Sequence, residues 1–238
     1  MRRLFVEEPL PFGEATSWAT PEECAAAARF APARAREYLA WRAIVRREVG
    51  RDARIGYNAV GAPVLENYPY LLTVSHGAGR VAVGISERRC AVDIERLDRN
   101  FLRILSRYLT PDEQRLSAHP HFPAVAWCAK EVLYKYAGRR EADLLRDLRI
   151  EEIVWPKACL AEGEGVAEAG TLSAAAALSQ DESHPAIGVR CGRLLARYTD
   201  AEGKERPLGL YFYQEESCIV AFRFDGTADD EPFGALPE

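Results

Sequence analysis

The amino-acid sequence predicts an α+β chain built of two similar halves, and three observations lead there. A helix-start signal occurs twice: Thr20-Pro21-Glu22-Glu23 and Thr110-Pro111-Asp112-Glu113 each place a capping Thr, a Pro at the first helical position and a Glu three residues on, 90 residues apart. Each signal is followed by a proline break and a long helix, one bearing Trp41 and the other Trp127, and their closing glycines, Gly50 and Gly138, lie 88 apart. Short apolar runs bounded by turn residues supply strands to both halves. The order suggests an internal duplication joined near 97–100, giving halves at 1–98 and 99–225.

Taken in order, 4–6 reads as a short strand ended by Pro9 and Pro11, and a capped helix follows from Thr20 to about Arg29, where Pro32 breaks it. Tyr38, Trp41, Val45 and Val49 then fall on one helical face, with Gly50 as the stop. The stretch 56–66 is a loop or ragged hairpin around Gly61 and Pro63. Three strands are expected at 71–75, 81–85 and 90–94, in a sheet covered on both faces. Residues 101–108 read as helical, and Pro120 and Pro123 interrupt before the Trp127 helix. Strands at 148–155 and 189–198 precede a hairpin of 208–213 with 219–224. No pattern settles a state for 161–186, and the acidic end, 226–238, reads as a disordered tail.

Composition narrows the function classes. The 238 residues carry a net charge of -5, which argues against wholesale nucleic-acid binding. The length allows one large core or two modest ones. Residues 29–54 depart from the average, with eight arginines against Glu37, Glu48 and Asp52, a surplus of +5. Such a segment draws an anionic ligand or an acidic partner, or is simply a solvated helix face. The six cysteines stand singly without a C-x-x-C pair, as in a reduced, cytoplasmic protein. No run of signal-peptide or membrane-spanning length is present, so no membrane partner is expected.

Three short signatures stand in order: Val74-Ser75-His76, then Val92-Asp93-Ile94-Glu95, then Trp127-Cys128-Ala129-Lys130-Glu131 continuing to Lys135. On a strand, Asp93 and Glu95 share one face and Ile94 takes the other. On a helix, Glu131 and Lys135 stack one turn apart, as an ordinary ion pair if nothing else claims them. Three carboxylates from two elements can surround one hard cation, with His76 and Lys135 beside it to hold an anion, the layout of a magnesium phosphate site. Zinc is disfavoured, because the four histidines and the cysteines lack ligand spacing.

Together the signatures resemble those of the 4′-phosphopantetheinyl transferases, specifically the larger monomeric class: S-H, then D-I-E, then W-x-x-K-E-x-x-x-K-x-x-G, over about Thr20 to Ile153. The resemblance implies two α+β halves with coenzyme A bound between them. It also implies transfer of the phosphopantetheine arm to a serine of an apo acyl or peptidyl carrier protein by a cytoplasmic monomer. Carried over by position, Asp93, Glu95 and Glu131 hold Mg2+ and Ser75 and His76 meet the coenzyme's phosphates. Lys135 stabilises the pyrophosphate, and Glu131 is also the base. Relatives often carry a Lys where Gly61-Ala62-Pro63 stands, and basic residues where Glu22 and Glu23 stand. Arg36 and Arg42 are therefore the expected contacts of the 3′-phosphate. The rival readings are a non-catalytic coenzyme A or carrier-protein binding module, and a magnesium phosphohydrolase.

Overall fold

The computed structural model describes residues 1–156, 191–215 and 217–226. The expectations for 161–186 and for the tail beyond Gly226 lie outside the described residues. In chain order, β1 (Arg2–Glu7) leads to α1 (Phe12–Thr16), α2 (Pro21–Ala27) and α3 (Pro32–Val49), then to the hairpin of β2 (Ile55–Tyr57) and β3 (Pro63–Leu65). Strands β4 (Leu71–Gly77), β5 (Arg80–Ser86) and β6 (Cys90–Arg96) follow, then a 3₁₀ helix (Phe101–Arg107), α4 (Pro111–Gln114) and α5 (Phe122–Ala137). The last strands are β7 (Leu148–Val154), β8 (Gly192–Thr199), β9 (Glu205–Glu215) and β10 (Cys218–Phe224).

Two antiparallel sheets organise these elements: β1-β5-β4, and β6-β10-β9-β8-β7. The third of the three expected strands thus leaves its neighbours. β6 pairs with β10 from Cys218 opposite Arg96 to Phe224 opposite Cys90, although it precedes the join expected near 97–100. The period of two along each strand then divides the core. Phe5, Val81, Val83 and Ile85 face α3 through Trp41, Ile44 and Val45. Ala91, Ile219 and Ala221 face α5 through Val125, Ala129, Val132 and Leu133. The intervening residues Leu4, Val6, Ala82, Val92, Ile94, Val220 and Phe222 form a third cluster.

The helix starts follow from local chemistry. Thr20 and Thr110 each accept from the backbone N–H three residues on, at 3.2 and 3.3 Å, and Glu23 and Glu113 return the bond to the cap N–H. Pro32 and Pro123 fall in the first turns of α3 and α5. Pro123 therefore opens its helix, where an interruption was expected, because a missing N–H costs nothing in a first turn. Helix α1, between Pro11 and the Thr20 cap, was not anticipated. Asp225 is tied down: its N–H donates to the Arg89 carbonyl at 2.9 Å and its carboxylate accepts from Tyr136 Oη at 2.6 Å. Thr20→Ala should cost about 1 kcal/mol through the lost cap. Thermal denaturation should register that as a fall of roughly 2–4 °C in midpoint.

Candidate active site

β4 and β6 belong to different sheets yet run side by side, and the seam between them carries the site. Val92 N–H donates to Thr73 Oγ1 at 3.1 Å. A Cβ on Gly77 would stand 2.4 Å from the Ile94 carbonyl oxygen, so only glycine lets the strands close at that point. Val92 and Ile94 point into the core, while Asp93 and Glu95 turn toward α5.

Asp93 is 5% exposed. Its Oδ1 accepts from Ser75 Oγ at 2.7 Å and from Lys135 Nζ at 2.9 Å, and Lys135 also donates to the Val92 carbonyl at 2.8 Å. Asp93 Oδ2 is buried with no hydrogen-bond partner. Buried carboxylate oxygens are almost always satisfied, so this one is an exception among the described residues. Where the resemblance implies a phosphate contact, the Ser75 hydroxyl instead holds Asp93 in place.

Glu95 Oε1 accepts from Trp127 Nε1 at 2.9 Å and from Arg99 at 2.5 Å. The indole is itself fixed edge-on against Tyr108, ring centroids 5.1 Å apart, and Arg99 lies over it. Burial, and after it the Asp93 charge, raises the Glu95 carboxyl above its usual value, against the pull of Arg99. Glu131 is half-buried and makes no side-chain hydrogen bond to a described residue. Burial raises it also, then Asp93 and Glu95, with Lys135 and Arg99 opposing. The one-turn pair of Glu131 with Lys135 therefore does not form: Lys135 reaches across to β6, and Glu131 has no ion-pair partner among the described residues. Behind the seam the buried Cys128 thiol is pushed well above its usual range by burial, then by Asp93 and Glu95.

Three acids thus share one region with incomplete compensation, which is what a cation would relieve. Their donors are all oxygen, the set a hard divalent ion prefers, and Asp93 Oδ2 is already free. Among the described residues no three His, Cys, Asp or Glu side chains yet converge as a ligand group.

His76, at the end of β4, is 41% exposed and meets α3. Its Nδ1 lies 3.3 Å from Glu37 Oε2, its Nε2 bonds Arg34, and Arg34 is 3.5 Å from the same Glu37 oxygen. Burial lowers the imidazole below its usual value. Arg36 is exposed on α3. Arg42 is not available to a ligand: it is 2% exposed, and it donates to Glu23 at 3.1 Å, the Tyr38 carbonyl at 2.9 Å and Tyr57 Oη at 2.8 Å. Glu23 also takes Arg46 at 2.6 and 2.9 Å, so the acid that the resemblance left unexplained pairs two buried arginines. Sequence reasoning missed Arg34, Glu37 and Arg99. The spacing of Arg34 and Glu37 within the basic segment was a usable signal, whereas Arg99 depends on how the chain turns after β6.

Residues 89–183 match the model of the 4′-phosphopantetheinyl transferase superfamily. The match is less than half of the chain and includes Asp93, Glu95, Glu131 and Lys135, with Ser75 and His76 outside it. No curated protein was found to be similar. No helix among the described residues is long and apolar enough to cross a membrane.

Proposed function

We propose that the protein transfers the 4′-phosphopantetheine arm of coenzyme A to a serine of an apo acyl or peptidyl carrier protein. In this reading it is a cytoplasmic monomer of the larger class, two α+β halves with the coenzyme between them. The observation that carries the reading is the seam itself. Asp93 and Glu95 on β6 and Glu131 on α5 act on one another's charge, Lys135 of the same helix reaches Asp93 Oδ1, and His76, whose imidazole also feels Asp93 and Lys135, meets Arg34.

The serine oxygen attacks the phosphorus that bears the pantetheine. A P–O bond forms to serine, the pyrophosphate P–O bond breaks, and adenosine 3′,5′-bisphosphate leaves with the electron pair. The serine proton goes to Glu131, whose raised carboxyl makes it a better base than an ordinary glutamate and which no other side chain occupies. Asp93, Glu95 and Glu131 would hold Mg2+, which when bound supplies charge neutralisation to the pyrophosphate. Ser75 and Lys135 orient Asp93, and Trp127 with Arg99 orient Glu95. Lys135 balances charge on the pyrophosphate, and Arg34 with His76 takes a terminal phosphate. Alignment and charge compensation are the main demands of such a transfer.

Incubation with coenzyme A, magnesium and a panel of apo carrier proteins, read by intact mass, tests the activity. A carrier that gains the arm is the expected result. Coenzyme A bound with no mass gain would favour the non-catalytic module, and release of inorganic phosphate the hydrolase. Magnesium alone should raise the wild-type thermal midpoint by mass action, and Asp93→Asn should shrink that rise. Arg34→Ala should weaken coenzyme A by about 1.5–3 kcal/mol relative to its 3′-dephospho form, the loss of one charge-assisted contact. Isothermal titration of both ligands, with Arg36→Ala in parallel, decides which arginine reads that phosphate.

A further inference from the structure

Arg99 lies in the turn that follows β6, four residues after Glu95, and its guanidinium has three neighbours. Nη1 donates to Glu95 Oε1 at 2.5 Å, and the guanidinium carbon stands 5.1 Å from the centre of the Phe101 ring and 5.2 Å from that of Trp127. The Trp127 indole donates to the same Oε1 at 2.9 Å, so both lone pairs of that oxygen are taken. The Arg99 charge acts on Glu131 as well as on Glu95. Of the three acids at the seam, Asp93 has the Lys135 ammonium and Glu95 has the Arg99 guanidinium, so three carboxylates stand against two cations of the chain's own. Lys135 is anchored by a second bond, to the Val92 carbonyl. Arg99 is 45% exposed, and Glu95 is its one ion-pair partner among the described residues.

We propose that Arg99 is a built-in competitor of the divalent cation at Glu95, and that it sets how tightly the free protein holds that cation. The inference rests on the proposed function only in taking a divalent cation as the ligand of these acids. A cation reaching Glu95 has two routes, and Arg99 opposes both. At Oε1 it must displace a donor, because that oxygen has no lone pair to spare. At Oε2 it leaves the guanidinium bonded and meets its charge across one carboxylate, well within a Debye length. Losing Arg99 does not set Glu95 adrift, since the indole still holds Oε1 and is itself fixed edge-on by Tyr108. The repulsion removed therefore exceeds the orientation lost. A displaced guanidinium keeps the Phe101 and Trp127 rings beside it, so the exchange at Glu95 is local. Its exposure to solvent limits the size of the effect.

The test titrates magnesium chloride alone into wild type, Arg99→Gln and Arg99→Lys by calorimetry, with neither coenzyme nor carrier protein present. A pH of about 8 keeps protons from competing for the carboxylates. Arg99→Gln should hold magnesium roughly 2- to 10-fold more tightly, and the gain should shrink as sodium chloride is raised. Arg99→Lys keeps the charge without the planar fork and should lie closer to wild type than Arg99→Gln does. Arg51→Gln removes an equal charge from the exposed turn after α3 and should stay near wild type, which separates a local effect from one of net charge. Nitrogen–proton NMR gives an independent reading: in wild type, magnesium should move the Trp127 indole and Arg99 side-chain signals together, with the midpoint of the calorimetric curve. Unchanged or weaker magnesium binding by Arg99→Gln, an equal gain in Arg51→Gln, or a wild-type Arg99 signal that magnesium leaves in place would overturn the proposal. So would the absence of magnesium binding in wild type and variants alike. Failure to modify any carrier protein would instead remove the transferase reading and leave these binding results standing.

Discussion

Glu131→Gln should give a folded protein, at least as stable as wild type at neutral pH, whose turnover has fallen by roughly 100- to 10,000-fold. Stability and activity are expected to part because the same environment acts on both. Burial and the Asp93 charge raise the folded-state carboxyl above its unfolded value. A raised acid contributes stability below the unfolded value and loses that contribution as pH rises through the folded one, so at pH 7 the ionised Glu131 is a net cost. Gln removes the cost. The rate runs the other way: the base must be ionised, so wild-type kcat should climb with pH as Glu131 loses its proton, and the variant should lose that limb. Turnover against magnesium concentration separates base from ligand. If saturating magnesium recovers nothing, Glu131 acts chiefly as the base. Full recovery would make it chiefly a ligand and move the proton to a bound water.

How much of this was legible beforehand depended on whether the cause was local. The two capping boxes and the Gly138 stop were readable, because Thr20, Thr110 and Gly138 act within one turn of themselves. The splitting of Asp93 and Glu95 from Ile94 was readable too, since it needs only the strand period. What could not be read was partner choice. The run at 90–94 looks like a third strand of the preceding sheet, and only the pairing of β6 with β10, more than a hundred residues on, assigns it to the other. Lys135 illustrates the same limit: helix spacing offered it Glu131, but the seam brought Asp93 Oδ1 to 2.9 Å together with a carbonyl, a better set of acceptors. Arg42 was named for its charge, and no feature of the local sequence says that Glu23, nineteen residues back, will bury it. The alternation along β6 was therefore plain, while the hydrogen bonds that aim Asp93, Glu95 and Lys135 depend on long-range register.

Lys130→Met should be the most destabilising of the single substitutions considered, although Lys130 sits next to Glu131 and turns into the core. Its ammonium is fully buried and donates to Glu113 Oε1 at 2.5 Å, to the Leu144 carbonyl at 2.8 Å and to the Leu148 carbonyl. Glu113, also buried, accepts from the Ile150 N–H at 2.9 Å and from the Thr110 N–H at 2.8 Å. One ion pair thus ties α5 to the cap of α4 and to the start of β7. Burial lowers the lysine below its usual value and Glu113 pulls it back, the signature of a charge that is tolerated only because it is paired. Removing the lysine strands the carboxylate, and breaking a buried pair costs about 3–5 kcal/mol. The thermal midpoint should fall by roughly 6–20 °C. A further result identifies the cause. The double variant Lys130→Met with Glu113→Gln leaves no buried charge and keeps a residue that still completes the capping box, so it should regain much of the loss. A double variant no more stable than Lys130→Met alone would show that the packing of the lysine stem, and not the stranded charge, sets the cost.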